Sequence, residues 1–74
     1  MTSPFVWVYD DPVRGAVLLR GAPTQQVLQA AHLDGLARWS QGGHGWVLSR
    51  AHLPDLLAAG DLVGVRCRIK EVTG

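Results

Sequence analysis

The sequence predicts an α+β domain: a mainly antiparallel sheet of about five strands in the order β-β-α-β-β-α-β, with two short helices packed on one face. Three observations carry this. The chain has 74 residues, 47% of them apolar and 18% charged, which suits one domain and excludes intrinsic disorder. Short β-branched and aromatic runs recur between clusters of Gly, Pro and Asp, the pattern of strands and turns. Two stretches with helical spacing separate those runs. A domain this small removes only roughly 60% of its unfolded surface from water, so its core must be efficient or another chain must cover part of it.

Phe5-Val-Trp-Val-Tyr9 is β-branched and aromatic throughout and gives the strongest strand signal. Asp10-Asp11-Pro12 is expected to end it with turn chemistry. Ala16-Val-Leu-Leu, bracketed by Gly15 and Gly21, is a second strand, and the short link makes an antiparallel hairpin. Thr24 to Leu33 reads as a helix of roughly three turns. Thr24 is its expected N-cap, Val27, Leu28 and Ala31 form its apolar face, and Gly35 takes the left-handed C-terminal position. Leu36–Ser40 and Gly45–Ser49 flank Gln41-Gly-Gly-His44 and read as a second hairpin. A second helix follows from Ser49, regular over Pro54–Ala59, with Pro54 in the first turn and Gly60 as its stop. Leu62–Val72 alternates cleanly: Val63, Val65, Cys67 and Ile69 on one side, Arg66, Arg68 and Lys70 on the other.

Several classes are excluded early. The chain is too short for a multidomain enzyme with a cleft between lobes. The single Cys67 rules out an internal disulfide framework. The longest apolar runs are a few residues, too short for a membrane helix, and no signal-peptide pattern is visible, so the expectation is a reduced, cytoplasmic protein with no membrane partner. The net charge of +1 says little, but six of the seven bases are arginine, whose planar fork suits phosphate and carboxylate. Abundant Ala, Gly, Val, Leu and Arg with one lysine suits a GC-rich bacterial, phage or plasmid gene.

Ala37-Arg38-Trp39, then six residues, then Trp46-Val47, is the most informative segment. With a helix before it and the Leu56-Leu57 helix after, it resembles a small bacterial and phage module. That module has a helix, then "G-A-R-W", a polar turn, "W-Y/V-V/I-P" and a second helix. It recurs beside primase, relaxase and topoisomerase-primase domains in plasmid proteins, and is similar to the HARP domain of annealing helicases. The resemblance covers Val17 to about Val65 and implies a nucleic-acid-binding role. The chain departs from the pattern in three places: the glycine comes early, at Gly35; Gln41-Gly-Gly-His44 replaces the charged turn; and Ser49-Arg50 stands where the module has proline.

Without the family, Trp39 and Trp46 are expected as cross-strand neighbours. Either both clamp the sheet onto the helices or one is exposed as a base-stacking platform; burial of at least one is the expectation. Arg38 then points to the opposite face from Trp39. Arg66, Arg68 and Lys70 stand about 6.6 Å apart at successive outward positions, close to the repeat of phosphates along a nucleic-acid strand. Such a row either neutralises phosphates or keeps an edge strand soluble. Arg38 and Arg20 extend the stripe if their strands adjoin it.

The Gly42–Gly45 run joins two strands and not a strand to a helix, so it reads as a hairpin tip, with Gln41 and His44 able to meet a ligand. His32, His44, His52 and Cys67 lack the close spacing of metal ligands, so no metal or cofactor is expected. No nucleophile–base pair with an orienting partner stands out, so no catalytic residue is assigned. Cys67 is expected inward and inert. Phe5, Trp7 and Tyr9 face one way and Val6 and Val8 the other, and two helices cover only one side. The uncovered side calls for a symmetric homodimer, a protein partner or stacked bases.

The reading is a non-enzymatic binding module whose first ligand is nucleic acid, single-stranded or duplex, held with little sequence preference. Arg66, Arg68, Lys70 and Arg38 would engage phosphate, and one aromatic ring or the Gln41–His44 tip would meet bases. The alternative is a protein-interaction module, a phage- or plasmid-encoded inhibitor or homodimeric adaptor, using the interface Phe5, Trp7 and Tyr9. Whether Asp10, Asp11 and Asp61 interrupt the arginines discriminates between the two.

Overall fold

A computed structural model describes residues 4–72. In chain order the elements are β1 (Phe5–Asp11), β2 (Ala16–Arg20), α1 (Thr24–Ala30), β3 (Arg38–Ser40), β4 (Gly45–Ser49), a 3-10 turn (Arg50–His52), α2 (Leu53–Val63) and β5 (Arg66–Glu71). The strands form one sheet in the order β3-β4-β2-β1-β5. Its pairings are antiparallel except β1 with β5, which run parallel. The fold is therefore α+β, mostly antiparallel, with two helices, as the element pattern predicts.

Alternation along the strands sorts the side chains onto two faces. Val6 and Val8 of β1, Val17 and Leu19 of β2 and Leu48 of β4 point to one side and are buried. Val27 and Leu28 of α1 and Leu56 and Ala59 of α2 close over them, joined by Leu33 and Val65. A core of Val, Leu and Ala with no polar side chain lacking a partner among the described residues is what a short chain needs to offset its ordering entropy.

Four local expectations are corrected. First, α1 is shorter than three turns and begins after Pro23, not after a Thr24 cap; Thr24 is its first residue, and its hydroxyl donates to the Gly21 carbonyl at 2.8 Å. Second, the left-handed position ending α1 is His32 (φ 59°), not Gly35. The Leu33 amide reaches back to the Leu28 carbonyl at 2.8 Å and buries Leu33, a closing bond with its usual hydrophobic contact. Third, β3 covers only Arg38–Ser40, so Leu36 and Ala37 lie in the preceding turn.

Fourth, Gly60 does not stop α2. It lies inside the helix, where a Cβ would sit 2.8 Å from both the Cys67 sulfur and the Val65 carbonyl oxygen. Glycine here lets the helix touch the sheet, and the gain in close packing outweighs its poor helix propensity. Leu62 and Val63, expected in the last strand, are the final turn of α2. The helix ends at Gly64 (φ 74°), with the Val65 amide donating to the Gly60 carbonyl at 2.8 Å.

Trp39 and Trp46 are paired directly across β3 and β4, with ring centroids 5.5 Å apart in an edge arrangement. Their register places them on the helix side, yet neither is fully buried. Trp46 leans on the core and Trp39 is 53% exposed. Of the two rings, Trp46 therefore packs between sheet and helices and Trp39 is the one left exposed. The core centres on β1 and β2, and the three-residue edge strand β3 lies at the far side of the sheet from them. Trp39→Ala is expected to cost less than ~1 kcal/mol, the scale of a cross-strand pair. Trp46→Ala should cost about 2 kcal/mol, below a fully buried ring. Urea denaturation of the two single variants checks the order.

Candidate nucleic-acid interface

The second sheet face carries no helix. Register fixes its occupants, because directly paired residues share a side. One row across the sheet reads Lys70, Tyr9, Leu18, Val47, Arg38, and the next reads Arg68, Trp7, Arg20. Arg66 pairs with Phe5 beyond them. Five of the seven cations, Arg20, Arg38, Arg66, Arg68 and Lys70, therefore stand on the open face, and all five are exposed.

The acids are placed differently. Register puts only Asp11 on this face, at its end, where it pairs with Arg14 of the β1–β2 turn at 3.7 Å. Asp10 points to the helix side and is buried, and Arg50 donates to its two carboxylate oxygens at 2.7 and 3.3 Å. That hydrogen bond, then the charge of Asp10, holds the Arg50 guanidinium more firmly protonated than usual. Asp61 lies on α2. Among the described residues the ion pairs are these two alone, so the five open-face cations have no carboxylate partner. Of the three acids that threatened to break the patch, only Asp11 reaches the face, at the end of β1, where it lines the concavity beyond Tyr9 and is paired with Arg14.

An aromatic row runs down β1 between the cations. Phe5 is 38% and Trp7 37% exposed, and Tyr9 is half-buried. Phe5 meets Trp7 edge-on at 5.8 Å, and Trp7 and Tyr9 are tilted by 30° at 6.4 Å. The Arg68 guanidinium carbon lies 4.9 Å from the Phe5 ring centroid and 5.8 Å from that of Trp7. These contacts hold an otherwise mobile arginine against the sheet while its charge stays at the surface.

Beyond Tyr9 the face dips into an open concavity of about 680 Å³. Tyr9, Leu18 and Val47, neighbours in one row, make its apolar floor. The β3–β4 tip forms a wall. A Cβ on Gly43 would stand 3.0 Å from Leu18, so the tip lies close on the sheet, and His44 (φ 53°) carries the left-handed turn back into β4. The Ser40 hydroxyl accepts from the Gly43 amide at 3.1 Å and braces the tip. Arg14 and Arg20 reach the same concavity.

The residues singled out in sequence are thus only partly together. Arg66, Arg68 and Lys70 line the β5 edge, beside the Phe5, Trp7 and Tyr9 row. Arg38 shares the face but belongs to the opposite edge strand, four strand spacings or roughly 19 Å away, so the stripe is not continuous. His44 lines the concavity; Gln41 is exposed outside it. Arg20, named only as an extension, proves central, lying opposite Trp7. Its alternation with Leu18 was the available signal. Cys67 faces α2, its sulfur 3.8 Å from the Leu56 carbonyl, and burial, then Asp61, pushes its thiol above the ordinary range. Among the described residues no three His, Cys, Asp or Glu side chains gather as a metal site would require. No helix is long and apolar enough to cross a membrane. Comparison with known protein families, curated proteins and solved structures finds no match to this chain.

Proposed function

We propose that the chain is a non-enzymatic nucleic-acid-binding module that uses the helix-free sheet face. The observation that carries this is the sorting of charge: five of seven cations share a face whose centre is aromatic, and of the three acids on the strands only Asp11 stands there with them. A polyanion with flat apolar rings complements such a surface. Arg66, Arg68 and Lys70 on one flank and Arg20 and Arg38 on the other engage phosphates, which position a ligand without reading its sequence. The resemblance of the Ala37–Val47 segment to modules beside primases and relaxases points the same way.

The test is the binding of a labelled oligonucleotide measured against salt. Roughly three to four phosphate contacts give weak affinity that falls steeply with salt, each contact adding about −0.9 to the logarithmic slope for duplex and about −0.7 for single strands. Arg66→Gln with Arg68→Gln should remove binding and leave the fold intact, since both side chains are exposed. Arg38→Gln should weaken it less. If single strands, duplex and RNA all fail to bind at low salt, the half-exposed row Phe5, Trp7 and Tyr9 becomes the surface of a protein-interaction module or homodimer instead.

A further inference from the structure

We infer that the ligand of this face is single-stranded, with one unpaired base seated on Tyr9 in the concavity beneath the Gly43-His44 tip. The inference rests on the nucleic-acid reading and narrows it to a substrate class. Three features of the structure argue for it.

The first is where the helices lie. In its major groove, duplex DNA is read by an element that protrudes, a helix or a two-stranded ribbon, and sheet faces that bind duplex do so by kinking open the minor groove with apolar wedges. Here both helices cover the opposite face of the sheet, and α2 carries Asp55 and Asp61, which phosphates would repel. The cationic face is a sheet surface, with nothing on it shaped to enter a groove.

The second is the aromatic row between the two cationic flanks. A duplex keeps its base faces inside the stack and would lay only sugar and phosphate on Trp7 and Tyr9. An unpaired strand offers free base faces, and stacking on exposed rings is tolerant of sequence. The Phe5 and Trp7 rings already hold Arg68, at 4.9 and 5.8 Å from their centroids. Tyr9 has no such cation over it among the described contacts, and it is the aromatic member of the concavity floor.

The third is the concavity itself. Its volume of about 680 Å³ lies within the range of small-molecule sites. Its floor is apolar, from Tyr9, Leu18 and Val47, and Arg20 and His44 stand at its sides, with Asp11 also on the lining but paired to Arg14; a flat heterocycle joined to a phosphate suits this set on the Arg20 side. A base stacked on Tyr9 would put its backbone between Lys70 on β5 and Arg20 on β2, the cations that flank β1.

The experiment compares a labelled single-stranded DNA, an RNA of the same sequence and the blunt DNA duplex, by fluorescence anisotropy at low salt. At least one single strand should bind ten-fold or more tighter than the duplex, and the tighter of the two identifies the sugar. Tyr9→Leu keeps apolar bulk on the floor and removes the flat ring; it should lower single-strand affinity about five- to one-hundred-fold and bring the ratio to duplex toward one. Tyr9→Phe should restore it. Equal affinity for single strand and duplex, or a Tyr9→Leu variant that binds single strands as well as the parent, overturns the inference and leaves the binding module standing. Failure of all three probes to bind overturns both.

Discussion

Truncating Leu56 to alanine is expected to leave the domain largely unfolded or on the edge of unfolding at ambient temperature. Leu56 is fully buried, on the α2 face that meets the sheet through Ala59 and Gly60. Leu→Ala in such a position costs about 2–5 kcal/mol, more when the site cannot collapse. Collapse is resisted here, because α2 already lies so near β5 at Gly60 that even a Cβ there would sit 2.8 Å from the Val65 carbonyl oxygen and the Cys67 sulfur. A domain of this size holds on the order of 5 kcal/mol in all. Urea denaturation followed by circular dichroism measures the loss. Leu57→Ala, one position round the helix and only half-buried, should lose much less. Equal midpoints for the two variants would show that α2 does not present Leu56 to the core.

A side chain at Gly45 should be nearly as damaging, and it should damage the candidate site as well. A Cβ there would lie 2.5 Å from the Leu19 carbonyl oxygen, 2.9 Å from the Arg20 Cγ and 3.0 Å from a Leu18 methyl. The first contact is with backbone, so β2 and β4 must separate to relieve it. Gly45→Val is expected to cost about 3 kcal/mol, the upper range for overpacking. Gly42→Ala, one turn of the same tip, meets nothing within 4 Å and should be close to neutral. Thermal melts of the pair separate crowding from a general effect of losing glycine. Where Gly45→Val still folds, Arg20 is pushed from its place beside Trp7, and oligonucleotide affinity should fall with it.

What local sequence could show, it showed well. Gly45–Ser49 reads as a strand and is one, because its β-branched and aromatic residues sit next to a glycine turn. Alternation alone places Arg66, Arg68 and Lys70 on one face and Phe5, Trp7 and Tyr9 on one face. Nothing local says that the two rows are adjacent on the same side. That depends on the parallel pairing of β1 with β5, a contact between opposite ends of the described chain. Gly60 reads as a helix stop yet lies inside α2 for a related reason. Its role follows from how near β5 comes to α2, and a helix-breaking propensity of about 1 kcal/mol yields to such packing. The pairing of Trp39 with Trp46 can be read from spacing, but that Trp39 is the exposed ring cannot, because it depends on how far the helices reach over the sheet edge.

The parallel β1–β5 pair gives the candidate site an unusual place in the folding of the chain. β1 can zip to β2 as soon as their hairpin turn forms, but β5 must close the longest loop in the molecule to reach its register, at an entropic cost that short-range contacts do not share. The clamp of Arg68 on Phe5 and Trp7 therefore exists only once that last strand has docked. A ligand that bridges β5 and β2 would bind the docked form alone and hold the loop shut by mass action. Amide exchange along Arg66–Glu71 would slow as the face fills, making the strand that closes the longest loop the gauge of its occupancy.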